Sequence, residues 1–321
     1  TRLKSVAAYL NQYQLIPFGR LSETFVDLFS HHLSQSTLID INQTCYEALE
    51  SVEESIKQQL IASPVICLDE TGMRIKGTRK WCHVVSTPNL TYYAPNASRG
   101  SKANVDMGIL PVYSGTAMHD GWSSYFKFNC KHALCNSHNL RDLTFVNEED
   151  KQNWAKELID HLIDIKTTVE CRKPIDSKLD LAEITKFEKR YDRVIEMAKL
   201  ENPPPIAPNL QGQIKKRGKK KQTKAQNLLG RLQKYRREVL AFMHDFEVPF
   251  DNNLAERDIR MMKVQQKISG NFGSWKGAKI FCRIRGYIST AKKNSISVID
   301  AIQGAFEGKP FLGLLPEFIM I

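Results

Sequence analysis

"PVICLDETG", residues 64–72, decides the fold. Val65, Ile66, Cys67 and Leu68 make a short apolar run that ends in two acids, a threonine and a glycine. That texture predicts a buried strand and its exit turn, with Asp69 at the strand's end. Downstream, "KWCHVVSTP" (80–88) and "LTYYAPN" (90–96) flank a turn at Pro88–Asn89 and predict a hairpin. "SKANVDMGIL" (101–110) predicts a short helix, and "PVYSGTAMHDGW" (111–122) a further strand with a loop after it. "KHALCNSHNLRDL" (131–143) predicts one more strand running into a helix. A strand, a hairpin and then helix–strand alternation give an α/β core with a mixed sheet.

The sequence on either side of this core is helical. In residues 1–62, "SETFVDLF" (22–29) is expected to start at a Ser22 cap, and Cys45, Leu49, Val52 and Ile56 make one stripe reaching about Leu60. "LSQSTLIDINQTCYEALE" (33–50) carries a weak helix-turn-helix signal, and a plain helical bundle fits it better. From 148 to 245 strand signals stop. Trp154, Leu158, Leu162, Ile165 and Val169 form one stripe. Leu181, Ile184, Phe187, Tyr191, Val194 and Ala198 form a second, and Leu228, Leu232, Tyr235, Val239 and Phe242 a third. Three amphipathic helices, split by a Pro-rich and Lys-rich loop, predict an inserted all-α unit whose stripes are core. The expected organisation is a helical region 1–62 with possible DNA-binding use, a core in two parts (63–147 and 246–305), the insertion 148–245 and a tail 306–321.

Charge is concentrated rather than spread. The net charge is +11, and residues 215–237, "KKRGKKKQTKAQNLLGRLQKYRR", hold eleven Lys/Arg and no acid. Taking those eleven from the 46 basic residues leaves 35, equal to the 35 acids. A basic block in an otherwise neutral chain points to nucleic acid, against the plainer reading of a solvated basic loop. No run of about 18 apolar residues exists to span a membrane. The seven scattered cysteines suit a reducing compartment better than a disulfide framework.

Three acids stand out by context: Asp69, Asp120 in "HDGW", and Glu256 in "DNNLAERDIR" (251–260). In that last stretch Asp251 is a natural N-cap, Leu254, Ala255, Ile259 and Met262 follow helical spacing, and Glu256 heads a row with Arg260, Lys263 and Lys267. The plain reading is a surface helix whose Glu256–Arg260 pair contributes roughly 0.2–0.5 kcal/mol. The sharper reading is a metal-ligating carboxylate beside phosphate-holding cations. Two strand-end acids and a helical glutamate beyond an all-α insertion follow the order of nucleic-acid enzymes with the ribonuclease H-like fold. Their chemistry uses two Mg²⁺ ions roughly 3.5–4 Å apart, which clamp the attacking and leaving oxygens of a phosphodiester displacement. Such hard cations take carboxylate oxygens.

The motifs "LDETGMRIKGTRKWCHVVSTPNLTYYAPNASRG", "HDGWSSYF", "HALCNSHNLRDL" and "DNNLAERDIRMMKVQQKISGNFGSWKGA" together resemble the DDE transposases of the insertion sequence 66 family, from about Pro64 to about Lys293. The resemblance implies a ribonuclease H-like catalytic core with Asp69, Asp120 and Glu256 as metal ligands. It implies two Mg²⁺ ions, with Mn²⁺ able to substitute, cleavage at transposon ends and strand transfer into target DNA. Expected partners are double-stranded DNA, further copies of the chain, and accessory proteins of the element. The expected setting is the bacterial cytoplasm, near the nucleoid. Arg257, Arg260, Lys263, Lys267, Lys276, Lys219, Lys220 and Lys221 are the candidate DNA contacts, with His138 and Asn253 as candidate accessory residues. The sequence departs from the fuller family pattern in lacking a Cys-rich zinc module and an initiating Met, as a fragment would.

Other readings stand beside this one. "CKHALCNSH" (130–138) places Cys130, His132, Cys135 and His138 too close together for a tetrahedral structural zinc site. His119 is a candidate for orienting a water or phosphate beside Asp120. "SGNFGSWKG" (269–277) lacks the Lys-Ser/Thr ending of a P-loop and suits a flexible contact to a DNA backbone. Trp122 and Trp275 are either buried or able to stack on an unpaired base. A nuclease of the same fold that does not join strands, and a non-catalytic DNA-binding descendant of a transposase, both remain open. A glycosidase is disfavoured by the cationic surroundings of the acids.

Overall fold

The computed structural model describes residues 1–203 and 222–312. The chain divides into two compact units, one made of 1–131 and 253–321 and the other of 132–252.

In the first unit, helices α1 (Arg2–Ala8), α2 (Phe18–Phe29), α3 (Gln35–Ala48) and α4 (Glu50–Ala62) precede the sheet. Between α1 and α2 the turn Tyr9–Tyr13 is π-helical, with the Gln14 N–H donating to the Tyr9 carbonyl at 3.1 Å. The α2 helix starts at Phe18, a turn before the Ser22 expected from sequence. The Ser22 hydroxyl donates instead to the Leu33 carbonyl (2.6 Å) and ties down the loop after the helix. Ser34 caps α3 by accepting the Thr37 N–H. Cys45, Leu49, Val52, Ile56 and Leu60 are all buried, although the chain bends at Leu49 into two helices.

The strands are β1 (Val65–Ile75), β2 (Thr78–Ser86), β3 (Thr91–Asn96), β4 (Thr116–His119) and β5 (Lys131–Leu134), in the sheet order β3-β2-β1-β4-β5. The β1–β2 and β2–β3 pairs are antiparallel, and β1–β4 is parallel. The sheet is therefore mixed, as the sequence predicted. Strand β1 runs through Gly72 where an exit turn was expected. It turns back only at Lys76 and Gly77, whose φ values of 50° and 74° give the two-residue reversal suited to the twist of a hairpin. Lysine at the first of those positions is why the turn was not legible: Asn-Gly is the usual signature. The second hairpin turns at Thr87–Leu90, where it was expected. Helix α5 (Ser101–Met107) ends on Gly108 in the left-handed conformation.

The helices α12 (Asn253–Ser269), α13 (Trp275–Lys293) and α14 (Val298–Phe306) complete this unit. Helix α12 packs on β1 and β2, α13 on β3, and α1 on α14. Gly286 lets α13 approach β3, since a Cβ there would sit 3.1 Å from the Thr91 carbonyl. One continuous core joins Phe25, Leu49 and Ile56 of the N-terminal helices to Ile66 and Leu68 of β1, and to Ile284, Ile288 and Ile302 beyond.

The second unit is helical: α6 (Asn136–Glu148), α7 (Asn153–Arg172), α8 (Leu181–Glu201), α9 (Lys224–Lys234), α10 (Arg236–Val239) and α11 (Ala241–His244). The stripes predicted from sequence are its core, except that Leu181 is exposed at the start of α8 and the third stripe is broken at Tyr235 and Leu240. Two of its buried polar groups find backbone partners. His161 Nε2 lies 2.9 Å from the Phe187 carbonyl, and the Tyr191 hydroxyl donates to the Leu232 carbonyl at 3.0 Å. Among the described residues no helix is long and apolar enough to cross a membrane, and all seven cysteines are free thiols.

Candidate active site

The parallel β1–β4 pairing ends with Cys67 opposite Met118. Asp69 and Asp120 each lie two residues further on. Side chains alternate faces with period two, which would carry both onto one face, although β4 ends at His119 and Asp120 lies just beyond it. Asp69 thus lies inside β1 rather than at its end, and what stops near it is the pairing with β4. Its Oδ1 accepts the Glu70 N–H at 2.8 Å. Asp120 Oδ1 accepts the Trp122 N–H at 2.8 Å, an Asx turn that swings the chain out of β4 through Gly121 at φ 91°.

Glu256 comes to the same place from the first turn of α12 and is half-buried. Burial, followed by the charges of Glu70, Asp120 and Glu256, pushes the Asp69 carboxyl up to about 7, against a hydrogen bond from the Glu70 N–H that lowers it. Two acids from distant parts of the sequence therefore act on Asp69 within one unit. Such a group is stabilised by a proton or by a cation.

Glu70, the neighbouring acid, is paired elsewhere. Its carboxylate is paired with Arg99 at 2.6 Å and accepts the Tyr125 hydroxyl, and its side chain is 2% exposed. The Arg99 guanidinium lies 4.0 Å from the Trp122 ring centre and 5.0 Å from that of Trp81. Trp122 is thus partly exposed but covered on one face by Arg99, and Trp275 has Lys80 over its ring at 5.9 Å. His119 is fully buried beside Tyr125 and Phe126, and its Nδ1 accepts the Gly121 N–H at 3.0 Å. The ring braces the turn that carries Asp120, so it does not have the exposed, water-orienting position weighed from sequence.

What seats Glu256 is Asp258. Its Oδ2 accepts the Ser86 hydroxyl (2.6 Å), the Thr91 hydroxyl (3.0 Å) and the Lys293 ammonium (2.7 Å), while its backbone carbonyl accepts the Tyr93 hydroxyl (2.8 Å). Lys293 also donates to the Thr87 and Leu90 carbonyls, and burial lowers its pKa despite the opposing charge of Asp258. One carboxylate thereby ties α12 to β2, β3 and α13. The sequence held a signal for it: Asp258 falls between Ala255 and Met262 on the apolar stripe, where an unpaired acid would be costly.

A model of the transposase IS66 family matches residues 1–280. The chain belongs to the transposase IS66 family. A search of curated proteins found no match. Membership supports DNA as the partner and divalent-metal chemistry at the level of the family, and the geometry above gives the residues to examine.

Within this transposase-family chain, Arg257, Arg260, Lys263 and Lys267 are exposed on α12 and Lys276 is exposed on the first turn of α13. Lys263 donates to the Gly72 carbonyl at 2.7 Å, alongside Gln266 at 3.0 Å, so its ammonium is held at the edge of β1. The 269–277 segment is anchored rather than free. Phe272 exchanges backbone hydrogen bonds with Arg74 and Lys76 at the tip of β1, each 2.9 Å. Gly270 (φ 74°) ends α12, and Ser274 caps α13. Helix α12 begins at Asn253, two residues after the Asp251 expected as its cap, and the Asn253 side chain is exposed. His138 lies in the first turn of α6 in the second unit and is half-buried, and Cys135 Sγ in that unit accepts the Asn252 N–H at 3.2 Å. Lys219, Lys220 and Lys221 lie outside the described residues.

Proposed function

We propose that the chain is a DDE-type transposase that cleaves DNA at transposon ends and transfers the strands to target DNA. The observation that carries this reading is the convergence of Asp69, Asp120 and Glu256 within electrostatic reach of one another. The sheet order β3-β2-β1-β4-β5, with three antiparallel strands and a parallel fourth, supports a ribonuclease H-like core that the helical unit interrupts.

The donor set fits divalent magnesium. It offers carboxylate oxygens, the ligands a hard cation takes, and Asp69 holds a proton near neutrality that a cation can displace. Asp69, Asp120 and Glu256 would hold two such ions, which when bound supply charge neutralisation at the phosphate and activation of the attacking oxygen. Asp69, fixed in the sheet, sets the position of the phosphodiester. The Asp120 turn is braced from beneath by His119. Glu256, on a helix locked by Asp258, orients the attacking water or 3′-hydroxyl. Arg99 offsets part of the charge that Glu70 adds beside Asp69. Arg257, Arg260, Lys263, Lys267 and Lys276 line up for phosphates along α12 and the start of α13, with Lys219, Lys220 and Lys221 as further contacts. Joining two ends calls for at least two copies of the chain on DNA, with accessory proteins of the element as further partners, inside the bacterial cell.

The test is nicking of supercoiled DNA over a Mg²⁺ titration at fixed salt, beside Asp69→Ala and Glu256→Ala, with a strand-transfer arm using pre-cut ends. Wild type is expected to nick and to join, and both variants to bind DNA without nicking. Nicking without joining would leave a nuclease. DNA binding with neither metal nor substitution having any effect would leave a binding protein.

A further inference from the structure

After Cys67 the strand β1 no longer pairs with β4 and continues beside β2 as a hairpin that reverses at Lys76 and Gly77. Residues directly opposite one another on the two strands share a face, and alternate positions of β1 stay on it. The register therefore puts Glu70 with His83, Gly72 with Trp81, and Arg74 with Arg79 on one face of the hairpin. From the level of Glu70 to that of Arg74 is four residues, about 13 Å.

Cations and aromatic rings alternate along this face. The Arg79 guanidinium lies 4.7 Å from the Trp81 ring centre, and Arg99 lies against Trp81 and Trp122 in turn. Gly72 makes room for Arg79, since a Cβ there would sit 3.3 Å from Arg79 Nε. Glu70 fixes Arg99 from beneath, yet the Arg99 side chain is still 30% exposed. The row ends at Trp122, which is 43% exposed and whose N–H is held by the Asp120 carboxylate. At the other end Arg74 and Arg79 stand directly opposite one another, a placement of like charges that weakens a hairpin. Both are exposed, and among the described residues neither pairs with a carboxylate. An anion on this face would relieve that repulsion.

We propose that this face of the hairpin receives single-stranded DNA leaving the phosphodiester, with a base stacked on Trp122 and the phosphates following Arg99, Arg79 and Arg74 toward the tip. The inference rests on the reading of Asp120 as a ligand at that phosphodiester. Trp122 is two residues from Asp120, at most about 7 Å along the chain. A base inside a duplex has both faces covered by its neighbours, so only an unstacked base can lie on that indole. Phosphates of a duplex would ask for cations alone. Cations interleaved with aromatic rings are the composition of a single-strand site, and stacking of this kind tolerates any base.

The test measures binding by full chain in EDTA, where no chemistry occurs. The probes are a labelled blunt duplex, the same duplex ending in a fork of unpaired thymidine arms, and that fork with abasic arms. Wild type is expected to bind the thymidine fork about tenfold tighter than the abasic fork, the contribution of one stacked base. Trp122→Ala should bring that ratio near one and leave binding of the blunt duplex unchanged. Arg74→Gln/Arg79→Gln should weaken both forks alike, and for two single-strand phosphates the log–log salt slope should fall by about 1.4. A wild-type ratio near one overturns the proposal. So does a double variant that weakens the blunt duplex as much as the forks, which would make the face a contact to duplex phosphates. Should Trp122→Ala not fold, 5-iodouridine in the arms answers on wild type. Photocrosslinks within 74–81 or 119–125 support the site, and crosslinks confined elsewhere overturn it. Mg²⁺-dependent nicking of supercoiled DNA by the same preparation keeps the two readings apart. Nicking without fork preference sinks this inference alone, and fork preference without nicking sinks the catalytic reading alone.

Discussion

Replacing Asp258 with Asn should loosen the helix that carries Glu256 without touching Glu256 itself. In the native protein Lys293 and Asp258 are both largely buried, with side chains 13% and 11% exposed and 2.7 Å between charged atoms. Asn keeps one acceptor for the Ser86 and Thr91 hydroxyls but removes the only charge that compensates the Lys293 ammonium at that contact. Breaking one side of a buried pair costs about 3–5 kcal/mol. The two backbone carbonyls that Lys293 keeps place this case near the lower end, about 3 kcal/mol. At roughly 2–4 °C per kcal/mol, the unit's melting temperature should fall by about 6–12 °C. The pH dependence has a definite sign. Burial already lowers the Lys293 pKa, and losing Asp258 lowers it further, so the unfolded chain binds more protons than the folded one on the alkaline side. The deficit is therefore full at neutral pH and shrinks as pH climbs toward the ordinary lysine value. Urea melts at pH 7 and 9.5, together with amide exchange of α12, measure this. A Lys293→Met/Asp258→Leu double variant should recover most of the loss. A single variant within 0.5 kcal/mol of wild type, with α12 amides as protected as before, would refute the assignment of Asp258 as the anchor.

Asp69→Asn should abolish nicking and yet stabilise the metal-free protein at pH 8. A carboxyl raised to about 7 binds protons in the folded state that the unfolded chain has released. Metal-free stability therefore falls as pH rises from about 4 to 7, and a pH series of melts with and without Asp69 shows that slope or its absence. Arg99→Met leaves the Glu70 carboxylate buried without its cation and should cost about 2–4 kcal/mol, mostly recovered in Glu70→Gln/Arg99→Met, as chemical denaturation will read. In the second unit, burial lowers the His161 pKa, so the unfolded chain takes up a proton first as pH drops through the ordinary histidine value. The helical unit should lose stability below about pH 6.5, and His161→Gln should remove that slope in melts followed by circular dichroism.

The apolar texture of the chain carried most of the architecture. The β-branched run before Asp69, the Pro88–Asn89 hairpin and the stripes of α7 and α8 each announce their own burial. What failed was local backbone chemistry. Gly72 resembled a turn but lies inside β1, because the reversal uses Lys76 in the left-handed conformation, which lysine does not advertise. The start of α2 was misplaced because Pro17 rather than a serine precedes it. At the candidate site, residue type and order pointed to Asp69, Asp120 and Glu256, and the register beyond Cys67–Met118 supplies a reason for the first two to be level. The partners that hold them were hidden because they are long-range: Ser86, Thr91 and Lys293 reach Asp258 across 35 to 172 residues.

The most direct test of the central claim, that the three acids form one metal site, is calorimetric titration of Mn²⁺ into full chain near pH 7. It should be run in two buffers of different ionisation enthalpy. Wild type should bind up to two ions and release about half a proton at that pH as the metal displaces the proton shared on Asp69. Asp69→Asn should lose both the proton release and the tighter ion. Binding unchanged in Asp69→Asn and Glu256→Gln, or no saturable Mn²⁺ binding by wild type, would contradict the account.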